Sequence, residues 1–500
     1  MTSPAVSARP DETIEEAASH MSAHGVGSVV VEEHGRLAGI LTERDLVRAN
    51  AAGADPTKAR VRDWMTAGPD SLGPEVEVVD AWRSLAAHGY RHIPVVVGEA
   101  VKGIVSMRDL MRMAQLRPVD GVFTDVPRGL EGVVAAETSV GSVRGLEGFY
   151  HYRQYSATEL ARLRSFEDVW RLLVDGELGD AADAAAFADE TAPLRHLPAG
   201  LVSALATVVS LSPGAGPLDL LRTAVSLLGT AEGFRPSQDL DRAALRADSL
   251  RLCAVMPTLV AALWRLGRGA AVVEPVDELG FVENYLYMLT GETPEPAHVK
   301  AMERYLVSTI DHGLNASTFT ARVVTSTGAD LAAAVVAGIA ALSGPLHGGA
   351  PSRALETLDA IGTPERAEAH IRRAIERGEK IMGFGHRVYK TVDPRSELLK
   401  ETARELGAPR FALAEQVEET VVRVLRELKP GRELYANVEF FAGVVMEACG
   451  VPPELFTPSF AVSRTVGWCA HILEQAADNR IIRPASRYVG PPPPKPVPEP

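Results

Sequence analysis

Five short elements between residues 310 and 488 set His, Arg and acidic side chains where loops meet helices, rather than on long solvated faces. "IDHGLNAST" (310–318) carries His312 at the end of an apolar helical pattern, a place that suits a histidine on dipole grounds alone. In "GPLHGGAPSRALETL" (344–358), His347 stands among glycines just before a helical pattern. Its ring is expected to face the positive end of that helix, which keeps imidazole neutral and able to donate to a developing oxyanion. In "MGFGHRVYKTVDPRSELL" (382–399), Gly383 and Gly385 let backbone approach a ligand, and His386 follows them directly. Asp393 suits an N-cap with Pro394 at the first helical position, which places Arg395 in the first turn. "YANVEFFAG" (435–443) holds one carboxylate, Glu439, in an otherwise uncharged run; Asn437 can cap a helix there, and an acid in its first turn is favoured by the dipole. "FAVSRTVGWCAHILEQ" (460–475) sets Arg464 in an apolar helix, and "RIIRPASRY" (480–488) adds Arg483. A guanidinium in such surroundings needs either a buried ion pair or an anionic ligand. Arg, Lys390 and His around glycines suit a multiply anionic ligand, and the five elements call for one explanation.

The elements that must position these residues are long helical patterns. Val299, Met302, Leu306 and Ile310 share a helical face that is expected to end at His312-Gly313, with glycine just past the last turn. Val417, Val421, Val424, Leu425 and Leu428 form another, stopped by Pro430-Gly431. β-Alternation is scarce beyond residue 129, so this region reads as mostly α-helical.

The first 114 residues differ: they contain a gapless internal repeat at an offset of 64, in which "GILTERDL" (39–46) matches "GIVSMRDL" (103–110). Each copy reads as a helix, a glycine turn, two apolar strands and a helix opening at Thr42 or Ser106, in a βαββα-like order. A strand that delivers a hydroxyl and a carboxylate to a helix start offers free N–H groups for phosphate and an Asp for ribose hydroxyls. The two copies resemble a tandem pair of cystathionine-β-synthase-type (CBS) domains, a Bateman module that commonly binds adenine nucleotides and regulates an attached domain. The resemblance implies Thr42, Asp45, Ser106 and Asp109 as ribose and phosphate ligands, with Arg44 and Arg108 near the phosphates, and AMP, ADP or ATP as effector. One departure is Val30, which stands where the second copy has Pro94. A pair that only folds and dimerises is the plainer alternative.

Bulk properties set limits. A chain of 500 residues favours two or three domains, and 51 basic against 65 acidic residues give a net charge of −14, which disfavours general affinity for nucleic acid or anionic membrane. Three cysteines, Cys253, Cys449 and Cys469, are too few and too scattered for a disulfide framework and fit a reducing cytoplasm. The N-terminus has no apolar signal core. Residues 331–352 lack Asp, Glu, Lys and Arg, but their Ala- and Gly-rich second half is broken by Pro345 and Pro351, so a buried helix ending in a loop is expected rather than a membrane span.

"DHGLNAST", "GPLHGGA", "MGFGHRVYKTVDPR", "NVEFFAG" and "FAVSRTVGW" resemble, in order and spacing, the signature segments of citrate synthase, from about residue 129 to residue 488. The resemblance implies a mainly α protein: an all-helical citrate synthase fold with large and small domains, preceded by the α+β CBS pair. The expected boundaries are a CBS pair over 1–114 (copies at about 1–50 and 61–114), a linker over 115–128, a synthase domain over 129–488 with its small domain at about 348–450, and a Pro-rich disordered tail over 489–500. It implies an acyltransferase of the tricarboxylic acid cycle, a homodimer or larger homo-oligomer, which condenses acetyl-CoA with oxaloacetate and requires no metal or other cofactor. His347, His386 and Glu439 take the catalytic positions; His312, His386, Arg395, Arg464 and Arg483 the oxaloacetate positions, Arg483 across a dimer interface; Lys390, Gly383 and Gly385 the CoA region. The chemistry fits these types, because a thioester methyl is a weak carbon acid that needs a carboxylate base and a donor to the enolate oxygen. The departure is the base itself: the family's usual Asn-Val-Asp is Asn-Val-Glu here. A 2-methylcitrate synthase using propionyl-CoA shares these motifs, and the altered base leaves room for a catalytically silent nucleotide sensor on a synthase-like scaffold.

Overall fold

The computed structural model describes residues 3–107, 109–110, 128–130, 132–347, 351–379, 381–386, 388–389, 391–428, 434–486, 488–491, 493–495 and 497. The chain divides into two compact units, Met1–Ala135 and Ala136–Pro500.

In the first unit the sequence repeat returns as a repeat of strand register. Strand Ser28–Glu33 pairs antiparallel with Arg36–Thr42, Ser28 opposite Thr42, and His92–Val97 pairs with Ala100–Ser106, His92 opposite Ser106. Both hairpins shift register at the same step, after Val31 and after Val95. Ala17, Met21, Val29, Val31 and Leu41 pack as one small core, and Ala81, Leu85, Ile93, Val95 and Val105, the equivalent positions of the second copy, pack as another. A slip of one residue in either hairpin would turn these side chains to the other face, so burial fixes the register. Val30 and Pro94 account for a difference between the copies. The Val30 N–H donates to the Val6 carbonyl at 3.0 Å and holds Ser7–Ala8 as a parallel strand. Pro94 has no N–H to give, and the same edge of the second copy is reduced to the single bridge Leu72–Val95. The expected linker lies, up to residue 127, outside the described residues.

The second unit is built mostly of helices. Its longest, Arg242–Gly267, is apolar enough to cross a membrane by length and composition, but 72% of its most apolar window is buried against the rest of the fold, as befits a core helix. It packs along Phe456–Ala477, the helix that carries Arg464. The apolar stretch from Leu331 forms the helix Leu331–Leu342 and leaves helical structure before His347. Phe411–Leu428 packs on Pro364–Glu376 with Val417, Val421, Val424 and Leu425 of the face read from sequence buried, whereas Leu428, at the helix end, is exposed; Pro430-Gly431 lie outside the described residues. Helix Pro296–Thr309 is central to the site, because it packs against Pro394–Glu405, Val438–Ala448 and Phe456–Ala477. Those three helices carry Arg395, Glu439 and Arg464.

Two expectations are corrected. The helix through Val299 and Leu306 ends at Thr309, three residues before His312. Asp311 is drawn out of the helix by tertiary bonds: its carboxylate meets His471 Nε2 at 3.2 Å and the Gly313 N–H at 2.9 Å, and its carbonyl accepts from the Tyr152 hydroxyl at 3.2 Å. The region after residue 129 also contains a three-stranded sheet, Gly141–Arg144, Phe149–Tyr152 and Tyr155–Ser156, whose short alternation buries Tyr150 and Tyr152. The tail beyond residue 489 carries no helix or strand among its described residues.

Candidate active site

Asp393 accepts from the Arg395 N–H at 3.0 Å, so it caps helix Pro394–Glu405 as its sequence requires. The same carboxylate grips the Arg395 guanidinium twice, at 3.0 Å to Nε and 2.7 Å to Nη2. Burial opposes that charge, but the paired carboxylate outweighs it and holds the guanidinium firmly protonated. Asp393 Oδ2 also accepts from the Val438 N–H at 3.1 Å, which joins the Arg395 helix to the start of the Glu439 helix.

That start is held from a second side. Asn437 is the N-cap of Val438–Ala448, its side chain accepting from the Glu439 N–H at 3.1 Å, as the capping reading expects. Gly383 and Gly385, at φ +84° and +88°, turn the 383–385 segment against residues 435–437: Gly385 N–H meets the Tyr435 carbonyl, and Asn437 N–H meets the Gly383 carbonyl, both at 2.9 Å. A Cβ on Gly383 would lie 2.8 Å from the Phe440 ring, so only glycine fits there. In this state the glycines serve backbone pairing that fixes His386 relative to Glu439. Lys390, the other residue of the expected CoA region, lies outside the described residues.

His386 Nδ1 accepts two backbone N–H bonds, from Val388 at 3.0 Å and Tyr389 at 3.1 Å. This assigns the proton of the neutral ring to Nε2. Nε2–H and Arg395 Nη2 then stand 3.3 Å apart as two donors, which do not bond to each other and form an edge suited to a carbonyl or carboxylate oxygen. His312 completes that wall, with Nε2 3.1 Å from the Tyr389 hydroxyl and its ring 5.5 Å from the His386 ring. Burial, then the positive charges of Arg395 and Arg464, hold His312 well below the ordinary histidine range, so it is neutral.

Arg464 is 2% exposed. Its Nε donates to the Thr309 carbonyl at 2.9 Å, and its guanidinium lies over the Phe460 ring at 4.6 Å. Gly467, one turn on, lets the helix approach this closely, since a Cβ there would lie 2.2 Å from the Ile310 carbonyl. Among the described residues Arg464 is in no ion pair. Burial lowers its proton affinity and the nearby Asp311 only partly offsets that.

His347 corrects the expected dipole. Its ring meets the start of helix Ala316–Ser326, not the helix it precedes: Nε2 lies 2.9 Å from the Ser317 hydroxyl and 3.4 Å from the Ser317 N–H. A backbone N–H can only donate, so Nε2 is an acceptor and the proton sits on Nδ1. Burial, reinforced by Arg464, lowers its pKa to about 4. The expected neutral donor therefore results, by a different helix end.

Glu439 is partly buried, and its carboxyl is pushed up to about 7 by burial, with Arg395 pulling it down and Asp393 up. Glu439 and His312 lie within electrostatic range of Arg395, and His312 and His347 within range of Arg464, so the five residues occupy one neighbourhood. Arg483 is exposed and takes no part in it. Sequence reasoning missed Ser317, Tyr389 and the Asp311–His471 pair; Asp393, read only as a cap, is also the partner of Arg395. Among the described residues no group of three or more His, Cys, Asp and Glu is arranged for a metal ion.

In the first unit, Thr42 and Asp45 form a capping box, Asp45 Oδ2 accepting from the Thr42 N–H at 2.9 Å and hydroxyl at 2.7 Å. Ser106 and Asp109 do the same at 3.0 and 2.8 Å. A cavity of about 340 Å³ opens beside the first box, lined by Thr42, Arg44, Asp45, Asp70, Tyr90 and His92 among others. Arg108 lies outside the described residues.

Comparison with known proteins places these features in context. The family described as citrate synthase, C-terminal domain, matches residues 129–485, and the CBS domain matches residues 1–52 and 61–115. The citrate synthase of Deinococcus radiodurans is 38% identical over 372 residues, covering 74% of this chain and 97% of that protein. The 2-methylcitrate synthase of Mycobacterium tuberculosis is 40% identical over 367 residues, covering 73% and 91%. A solved citrate synthase from Thermoplasma acidophilum, in ternary complex with carboxymethyl coenzyme A and oxaloacetate, superposes with a TM-score of 0.68 at 27% identity, over 75% of this chain and 99% of that one.

Proposed function

Because the chain belongs to the citrate synthase family and carries tandem CBS domains, we propose that it condenses acetyl-CoA with oxaloacetate and water to give citrate and CoA, under control of an adenine nucleotide. The observation that carries the reading is the donor edge of His386 Nε2–H and Arg395 Nη2, in the same neighbourhood as a buried arginine that has no ion pair among the described residues. Such a set of donors fits a keto dicarboxylate, with the guanidinium groups on carboxylate and the imidazole N–H on the ketone oxygen.

In this mechanism Glu439 removes a proton from the thioester methyl while His347 Nδ1–H donates to the forming enolate oxygen. The enolate carbon attacks the oxaloacetate ketone, a C–C bond forms, and the alkoxide takes its proton from His386 Nε2–H. Water then cleaves the thioester of citryl-CoA, releasing CoA and citrate. A homodimer in which Arg483 reaches the site of the other subunit belongs to the same proposal, as does a place in the cytoplasm.

The second reading is 2-methylcitrate synthase, favoured by the 40% identity to the Mycobacterium tuberculosis enzyme. Steady-state assays of CoA release with both thioesters separate the two. A higher kcat/KM for acetyl-CoA is expected, and a higher value for propionyl-CoA would overturn the leading substrate.

Nucleotide control rests on the cavity beside Thr42 and Asp45. Calorimetric titration of AMP, ADP and ATP into the full chain is expected to give heat for at least one of them, with a matching change in rate. Asp45→Ala also removes a helix cap worth about 1 kcal/mol, so Arg44→Ala, which leaves the capping box intact, is the cleaner variant and is expected to weaken binding. Absence of both heat and rate change would leave the module structural.

A further inference from the structure

Tyr305 lies on helix Pro296–Thr309, one turn before Thr309, whose carbonyl accepts from Arg464. It therefore shares a face with the residue that anchors the buried arginine. Its side chain is 1% exposed, and its hydroxyl has no hydrogen-bond partner among the described residues. Leaving a buried phenol O–H unpaired is unfavourable, so a phenylalanine would serve packing better. The ionisable groups that act on it include Tyr285, Glu439, Arg464 and Arg395. The two arginines only donate. The Tyr285 hydroxyl is already bonded to Ser459 Oγ at 2.8 Å. Among these groups the carboxylate of Glu439, on a helix packed against that of Tyr305, is the one able to accept, and the described hydrogen bonds of Glu439 engage its backbone and not its carboxylate.

We propose that Tyr305 is a positioning residue of the reaction, its hydroxyl donating to the ionised Glu439 carboxylate and fixing the orientation of the base when substrate is bound. This rests on the assignment of Glu439 as base and adds what holds it. Glutamate has one more side-chain torsion than the family's usual aspartate, and a second point of attachment removes that freedom.

The test is Tyr305→Phe in the full chain, with kcat and KM for oxaloacetate and acetyl-CoA measured across pH, beside Glu439→Gln. A hydrogen bond to the ionised form favours it, so its loss in the substrate complex moves the acid limb of kcat to higher pH, by about 0.5–1 unit. The kcat is expected to fall by ~10-fold or more, the range for a hydrogen bond to a charged group, with KM for oxaloacetate unchanged. Thermal melting is expected to stay level or rise, because no folded-state bond is removed. An unshifted acid limb would overturn the inference, whether kcat is retained or falls together with the melting temperature. A raised KM for oxaloacetate at full kcat would also overturn it, placing the hydroxyl on the substrate instead. If Glu439→Gln keeps wild-type activity, the base assignment itself fails; if Glu439→Gln is inactive and the limb of Tyr305→Phe is unshifted, only the role of Tyr305 fails.

Discussion

Glu439→Gln is expected to lower kcat by ~10²–10⁴-fold, the range for loss of a positioned general base, with oxaloacetate binding retained. The amide keeps the size of the carboxyl and the capped helix start, since the Asn437 bond is to the Glu439 backbone N–H. The wild-type pH profile carries the same assignment. Burial raises the Glu439 carboxyl to about 7, and a base works only when deprotonated, so kcat/KM is expected to rise with pH until about 7 and then level. His347, at about 4, is already neutral over this range and adds no second limb. Stability runs the other way. A carboxyl whose folded pKa lies above its unfolded value makes folding less favourable once pH exceeds the unfolded value, so Glu439→Gln is expected to be the more stable protein at pH 8. The two should converge below pH ~4.5, the gap at pH 8 being on the order of 1–3 kcal/mol. Glu439→Asp asks about reach: drawing the carboxylate back by about 1 Å is expected to cost ~10²-fold in kcat. Wild-type rates in Glu439→Gln would sink the assignment of Glu439 as base, and no CoA release by the wild type itself would sink the enzyme reading and leave the silent sensor.

Arg464→Met is expected to raise KM for oxaloacetate by ~10–100-fold, as a charge-assisted bond to a carboxylate is worth about 1.5–3 kcal/mol. The free protein should behave differently. Arg464 is buried with no ion pair among the described residues, so an apolar side chain of similar length removes a charge that Asp311 offsets only in part, at the expense of one bond to the Thr309 carbonyl. The melting temperature without ligand is expected to hold or rise. Saturating oxaloacetate should stabilise the wild type by ~2.7 kcal/mol at 100 times its Kd, and the variant far less at that concentration. A large loss of stability with affinity intact would instead make Arg464 a strut for the 309–311 turn.

What was legible from sequence follows from how local each signal is. The Asp393-Pro394-Arg395 helix start and the Asn437 cap depend on neighbours within three residues, and both formed as read. The offset repeat carried strand register because register is a matter of which face is apolar. The end of the helix at Thr309 was misjudged because Tyr152 and His471, over 150 residues away along the chain, pull Asp311 out of it. The His347 environment was right in sign and wrong in source, since the helix whose start it meets lies 30 residues earlier. Tyr150, Tyr152 and Tyr305 look like ordinary core aromatics in one dimension. Only packing reveals that the first two brace the His312 turn and that the third has an unsatisfied hydroxyl.

The bonds between residues 383–385 and 435–437, with Asp393 spanning Arg395 and Val438, make the His386 imidazole and the Glu439 carboxylate parts of one rigid jig. Arg464 and His347 are fastened elsewhere, to Thr309 and Ser317. Two tools on one mounting keep their alignment whenever that mounting moves, and what changes is the grip of the opposing clamp. Parting the two mountings by heat or denaturant would separate Glu439 from His347 and Arg395 from Arg464 at once, so weakened substrate hold and slowed chemistry are expected together.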